Sequence, residues 1–185
     1  MFAYFYKLII TLTLQKPVLF LALIAFILFG FTSPATWTKY VSKQGHFTIE
    51  FPGHPTENNV IDTADKKKPV TIHYVTYFPT DTEGYMADWI DISKKYPKEK
   101  TLKQILEESR DGALQSIKAT FSATTATYLG KDPYIEFSFT SNEFAGKGRI
   151  YVINMFQYSI ITLFPITSGI SADADKFIKS FKHLQ

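Results

Sequence analysis

Residues Thr120–Phe164 read TFSATTATYLGKDPYIEFSFTSNEFAGKGRIYVINMFQYSIITLF, and this stretch decides the fold. Ile135, Phe137 and Phe139 alternate with Tyr134, Glu136 and Ser138. A period of two is the repeat of a β-strand, whose successive side chains leave opposite faces. Strands are expected at Thr120–Leu129, Tyr134–Ser141, Lys147–Phe156 and Tyr158–Phe164. They are joined by Gly130–Pro133, by Asn142–Gly146 and by a tight turn at Gln157, which makes an antiparallel meander with one well-buried face. Gly146-Lys147-Gly148 lacks the spacing and the following Ser or Thr of a phosphate loop, and it precedes a strand, so it reads as a hairpin turn.

Upstream of the meander the period changes. Thr101 with Gln104 three residues on is a capping box, followed by Leu102, Ile105, Leu106, Ala113 and Ile117 at helical spacing. A helix is expected over Leu102–Ser116, with Gly112 costing up to about 1 kcal/mol relative to alanine. Before it stand strands at Phe47–Phe51, Val60–Ala64, Val70–Phe78 and Tyr85–Ile92, the middle two forming a hairpin whose tip is Asp65-Lys66-Lys67-Lys68-Pro69. After the meander, Ala174, Phe177, Ile178 and Phe181 form one stripe of a closing helix at about Ser171–Phe181. Strands, helix, strands, helix is the order of an α+β fold, a single antiparallel sheet flanked by two helices.

The chain of 185 residues is 45% hydrophobic and 16% aromatic, which suits a packed domain and not a disordered one. The extreme N-terminus differs from the rest. Val18–Phe31 is an apolar run preceded by Lys7 and Lys16 and followed by Ser33-Pro34-Ala35. A membrane span needs roughly 20 apolar residues, so this shorter run reads as the core of an export signal with a cleavage point after Ala35, or as an uncleaved anchor. Residues 1–35 are therefore a signal peptide or N-terminal membrane anchor, a hydrophobic helix ahead of an α+β domain at 36–185. The lysines before the run keep the N-terminus cytoplasmic, so the domain is exported across the bacterial cytoplasmic membrane and is periplasmic or anchored facing the periplasm.

Two segments carry a family resemblance: Gly45-His46-Phe47-Thr48-Ile49-Glu50-Phe51-Pro52-Gly53-His54-Pro55 and Phe177-Ile178-Lys179-Ser180-Phe181. The chain resembles exported bacterial proteins of the PsbP-like α-β-α sandwich type, in which an opening Gly-x-Phe-x-Ile-x-Phe-Pro strand precedes the sheet and a final helix ends in a Phe-x-x-Ser-Phe-like motif. The resemblance implies a non-catalytic domain that binds or stabilises a larger assembly, and it brings no active-site residues with it.

The residues themselves exclude much chemistry. There are no cysteines, hence no disulfide, thiolate ligand or lipidated-cysteine anchor. Without Lys7 and Lys16 the 20 basic residues become 18 against 17 acidic, which is no footprint for nucleic acid. His46, His54 and His73 match no metal-ligand spacing. No Gly-x-Ser-x-Gly is present, so a hydrolase would need a triad assembled through the fold. Asp88 and Asp91 are three apart on a strand and face opposite sides, and Glu107 and Glu108 lie on the polar side of the helix. Tyr74, Tyr77, Tyr85, Trp89 and Tyr96 fit either an aromatic binding surface or sheet packing. Lys66, Lys67 and Lys68 are positioned to meet anionic lipid or an acidic partner, or to keep a hairpin tip soluble. No cofactor is implied. The expected function is an exported, non-catalytic domain that binds an envelope protein or assists an envelope assembly. The alternative is a carrier or sensor of a small apolar ligand held between sheet and helix, and the third is a hydrolase.

Overall fold

A computed structural model describes residues 36–62, 69–93, 96, 100–128 and 131–184. The expectations on residues 1–35 and on Lys66, Lys67 and Lys68 lie outside these residues. Among the described residues no helix is long and apolar enough to cross a membrane.

The strands are β1 (Thr38–Ser42), β2 (Phe47–Phe51), β3 (Thr56–Asp62), β4 (Val70–Thr80), β5 (Glu83–Asp91), β6 (Thr120–Thr127), β7 (Tyr134–Thr140), β8 (Phe144–Ile153), β9 (Phe156–Pro165) and β10 (Lys182–His183). Among the described residues the helices are α1 (Leu102–Ser116) and α2 (Asp173–Ser180). The α+β class holds, but the single sheet does not. The strands divide into a seven-stranded sheet of order β3-β4-β5-β9-β8-β7-β6 and a three-stranded sheet of order β1-β2-β10, with every pairing antiparallel. The alternation of Phe47, Ile49 and Phe51 shows that one face of β2 is buried, whereas the choice of pairing partner depends on β10, far along the chain.

Each face of the large sheet has its own core. On one face, β2 of the small sheet and α2 pack against the sheet, burying Phe47, Ile49 and Phe51 with Ala87, Trp89, Tyr158, Ile160, Phe177 and Ile178. The two segments that carry the family resemblance meet here. Phe177 packs its ring 5.0 Å from that of Phe51, Phe181 lies 5.4 Å from Phe47, and the Glu50 amide donates to Ser180 Oγ at 2.9 Å across 130 residues of sequence. On the other face, Ile105, Leu106 and Leu114 of α1 pack with Ile135, Phe137, Phe139 and Ile150.

The helix α1 has the expected bounds and capping box: Gln104 N donates to Thr101 Oγ1 and Thr101 N to Gln104 Oε1. It closes in a Schellman arrangement, with Ala119 N donating to Leu114 O at 2.9 Å and Lys118 in the left-handed region at φ 51°. The closing helix is shorter than the apolar stripe suggested, ending at Ser180, because Phe181 turns to extended backbone and leads into β10.

Two turns fall elsewhere than expected. Gly146-Lys147-Gly148 lies inside β8, and the bend before it is at Ser141–Glu143. The glycines are there for space: a Cβ on Gly148 would stand 2.5 Å from the Phe137 ring, and one on Gly146 would stand 2.0 Å from the Thr162 carbonyl oxygen. The β8–β9 turn is made by Asn154 and Met155, both at positive φ (51° and 65°), with Ile153 paired to Phe156. That is the type I′ geometry that matches strand twist, and it places Gln157 within β9. β3 starts at Thr56 instead of Val60, and its exposed residues from Thr56 to Ile61 carry no burial alternation that would mark it.

Candidate functional site

The two layers cover the large sheet unequally. α1 packs over β6, β7 and β8 and leaves an apolar groove between its outer side and the β4–β5 half of the same face. The groove encloses about 280 Å³. Its floor comes from alternate residues of adjacent strands: Met86 stands opposite Ile161, Asp88 opposite Ser159 and Ile90 opposite Gln157. Ile72 of β4 and Leu163 of β9 extend that floor, and Ser109, Gly112, Ala113, Ser116 and Ile117 of α1 form the wall.

Gly112 has nothing within 4 Å of where its Cβ would be, so the helix presents bare backbone to the opening. Gln157 and Ser159 are buried polar residues, and the geometry shows why they are tolerated. Ser109 Oγ donates to Gln157 Oε1 at 2.6 Å, and Gln157 Nε2 donates to Ser159 Oγ at 3.5 Å. This ladder ties α1 to β9 beneath the groove and satisfies groups whose burial alone would cost roughly 1–3 kcal/mol each. Among the described residues the lining carries two carboxylates, Asp88 and Glu108, and no lysine or arginine. Lys100 reaches the rim, where its Nζ pairs with Glu108 Oε2 and lies 5.1 Å from the Tyr96 ring centroid.

A second cleft, of about 350 Å³, opens on the other face, between Gln44, Thr71, His73, Trp89, Asp91 and Phe156. His73 lies flat on the indole of Trp89, with centroids 5.0 Å apart and planes at 15°, and its Nε2 is 3.4 Å from Gln44 Nε2. Asp88 and Asp91 thus face different clefts, as their spacing on β5 requires.

The histidines are dispersed. His46 sits at φ 53° in the β1–β2 turn, His54 is exposed beyond β2, and His183 packs edge-on to Tyr158 from β10. Burial lowers the pKa of His183. Among the described residues no three His, Asp or Glu side chains gather as metal ligands. Among the described residues the groove has serines in its lining but no histidine, and the His73 cleft has a histidine but no serine. The aromatic set divides as well: Tyr77, Tyr85 and Trp89 pack on the α2 side, while Tyr96 lines the groove. Tyr74, opposite Asp88, also faces the α1 side. These five side chains form no single aromatic surface.

Burial pushes the Tyr158 hydroxyl up to about 12. Burial, followed by the charges of Asp173 and Glu83, does the same to Tyr85. Both are core tyrosines, and neither lines either cleft.

The fold built from these elements is PsbP-like. The solution structure of cyanobacterial PsbP (CyanoP) from Synechocystis sp. PCC 6803 matches it with a TM-score of 0.54, covering 83% of this chain and 96% of that one. The two sequences are 11% identical over the match, so the likeness is one of architecture. No protein-family model matches the sequence, and no curated relative does. The groove was not legible as a unit in the sequence, since its residues come from β4, β5, α1 and β9. The available signal was Gly112, a poor helix former on the open side of an otherwise well-capped helix.

Proposed function

We propose that this chain is an exported accessory domain, residues 36–185, without catalytic machinery of its own. It binds a protein partner of the bacterial envelope in the groove between α1 and β4–β5. The observation that carries the reading is the half-covered sheet. A layered α/β domain normally buries both faces of its sheet, yet Ile72 and Met86 stand only partly buried beside a helix that packs on the other half. Apolar grooves of this kind accept an apolar segment of another chain. Export is supported by the sequence of Val18–Phe31 with Lys7 and Lys16 before it. In the same reading Lys66, Lys67 and Lys68, which precede Pro69 and β4, supply a basic contact to an acidic partner surface or to anionic headgroups.

The test is a photo-crosslinking residue placed at Ser116 on the groove, or at Lys176 on the opposite side, in living cells. A discrete adduct in the envelope fraction is expected from position 116, absent from 176, and lost when Met86→Asp is added. Equal labelling from both positions would remove the reading.

A second reading rests on the Ser109–Gln157–Ser159 ladder. A small apolar molecule with one polar end would place its tail on Ile72, Met86 and Ile161 and its head on the ladder. The volume of about 280 Å³ lies at the lower edge of the range for such sites. Native mass spectrometry of protein purified from its own cells separates the two readings: a bound small mass supports this one, and its absence leaves the protein partner.

A further inference from the structure

The two ends of the seven-stranded sheet are built differently. β3, at one end, carries Glu57, whose Oε2 accepts from the Tyr40 hydroxyl of the small sheet at 2.7 Å. Charged side chains on an edge strand discourage further pairing. β6, at the other end, reads Thr-Phe-Ser-Ala-Thr-Thr-Ala-Thr, with no charged residue, no proline and no glycine, and all of it is exposed except Ala126. Its composition is strongly β-forming, and among the described residues no strand pairs with its outer edge. Beyond the bulge at its start, between Phe121 and Ala123, this edge strand carries neither charge nor proline, and such a segment is a template for another strand.

We infer that β6 pairs with β6 of a second copy of this chain, antiparallel about a two-fold axis, joining two seven-stranded sheets into one. The occupant follows from the contrast between the edges. Pairing β6 with β3 of another copy would be head-to-tail and open-ended, and the charged Glu57 on that edge disfavours it. Self-pairing of β6 is closed, and it sets no like charges against each other because the strand has none. The register is limited by a bulge between Phe121 and Ala123, where Ser122 Oγ turns back to donate to the Ser138 carbonyl at 3.3 Å. The regular segment is Ala123–Thr127, whose midpoint, Thr125, falls on the two-fold axis. One short strand per copy is a small interface, below the roughly 1,200 Å² total of stable complexes, so the association is weak and rises with concentration.

The chain has no cysteine, which makes the test clean. A residue on the axis faces its own copy at a Cα separation of about 4.5–5.5 Å, inside disulfide range. Thr125→Cys is introduced into the full chain, expressed in its own cells, and oxidised mildly in the intact envelope. A disulfide-linked dimer is expected at a yield at least about fivefold above that of Val60→Cys, an exposed control on β3 (Val60 49% exposed), with lower yields from cysteines at 123 and 127. Adding Thr124→Lys to Thr125→Cys lowers the yield to the control level. These exposed substitutions leave the core untouched, and circular dichroism confirms the fold. A yield from position 125 equal to that from position 60, or one that survives Thr124→Lys, overturns the inference.

Discussion

Phe47→Ala is the substitution that asks most of the fold. The ring is fully buried and lies 5.3 Å from Trp89, 5.8 Å from Tyr158 and 5.4 Å from Phe181, so it joins the small sheet, the large sheet and the C-terminal segment. Phe→Ala in a core costs about 3–5 kcal/mol, and the upper end is expected where aromatic partners hem in the site and prevent collapse. Domains of this size have total stabilities of only about 5–15 kcal/mol, so the loss is a large fraction of the whole. With a urea slope of about 2 kcal/mol per molar, the midpoint falls by about 2 M. Fluorescence reports it directly, because the chain has only Trp37 and Trp89 and Trp37→Phe leaves the buried Trp89 as the sole probe. A fall below about 0.5 M would refute the reasoning. So would an unchanged Trp89 transition accompanied by early loss of the small sheet, because the two sheets would then not share a core.

The glycines give opposite signs. Gly146→Ala should destabilise by several kcal/mol, because its Cβ meets a backbone oxygen at 2.0 Å, whereas Gly112→Ala should stabilise by up to about 1 kcal/mol, having open space and a helical backbone. Thermal melts of the two variants decide, and similar shifts would contradict the described strand packing. Tyr85 and Tyr158 have folded pKa values raised to about 12, so the stability they contribute is complete below their unfolded value near 10 and is lost as pH rises from 10 through 12. Absorbance near 295 nm should show a class of tyrosines resisting ionisation until about pH 12 or until unfolding. Ionisation of all 11 tyrosines together near pH 10 would show these hydroxyls are not buried.

What could be read from the sequence was local. The alternation of Ile135, Phe137 and Phe139 gave the buried face of β7, and Thr101 with Gln104 gave the start of α1, because each signal lies within a few residues. The β8–β9 turn was hidden because Met155 takes a positive φ that usually marks glycine or asparagine. Gly146 and Gly148 read as turn residues because their true cause, the rings of Phe139 and Phe137, lies on a neighbouring strand. The split into two sheets was hidden for a related reason: β2 recruits β10, and no local pattern in Phe47–Phe51 encodes that choice. The groove combines both difficulties, since Ile72, Met86 and Ile161 have ordinary strand periodicity and only the placement of α1 leaves them partly uncovered.

The most direct measurement is methyl NMR of isoleucine- and methionine-labelled protein titrated with solubilised envelope from its own cells. Binding in the groove should shift or broaden the methyls of Ile72, Met86 and Ile161 and leave those of Ile49 and Ile178, in the opposite core, unchanged. Shifts confined to Ile49 and Ile178, or none at any of these positions, would contradict a groove built to receive a partner.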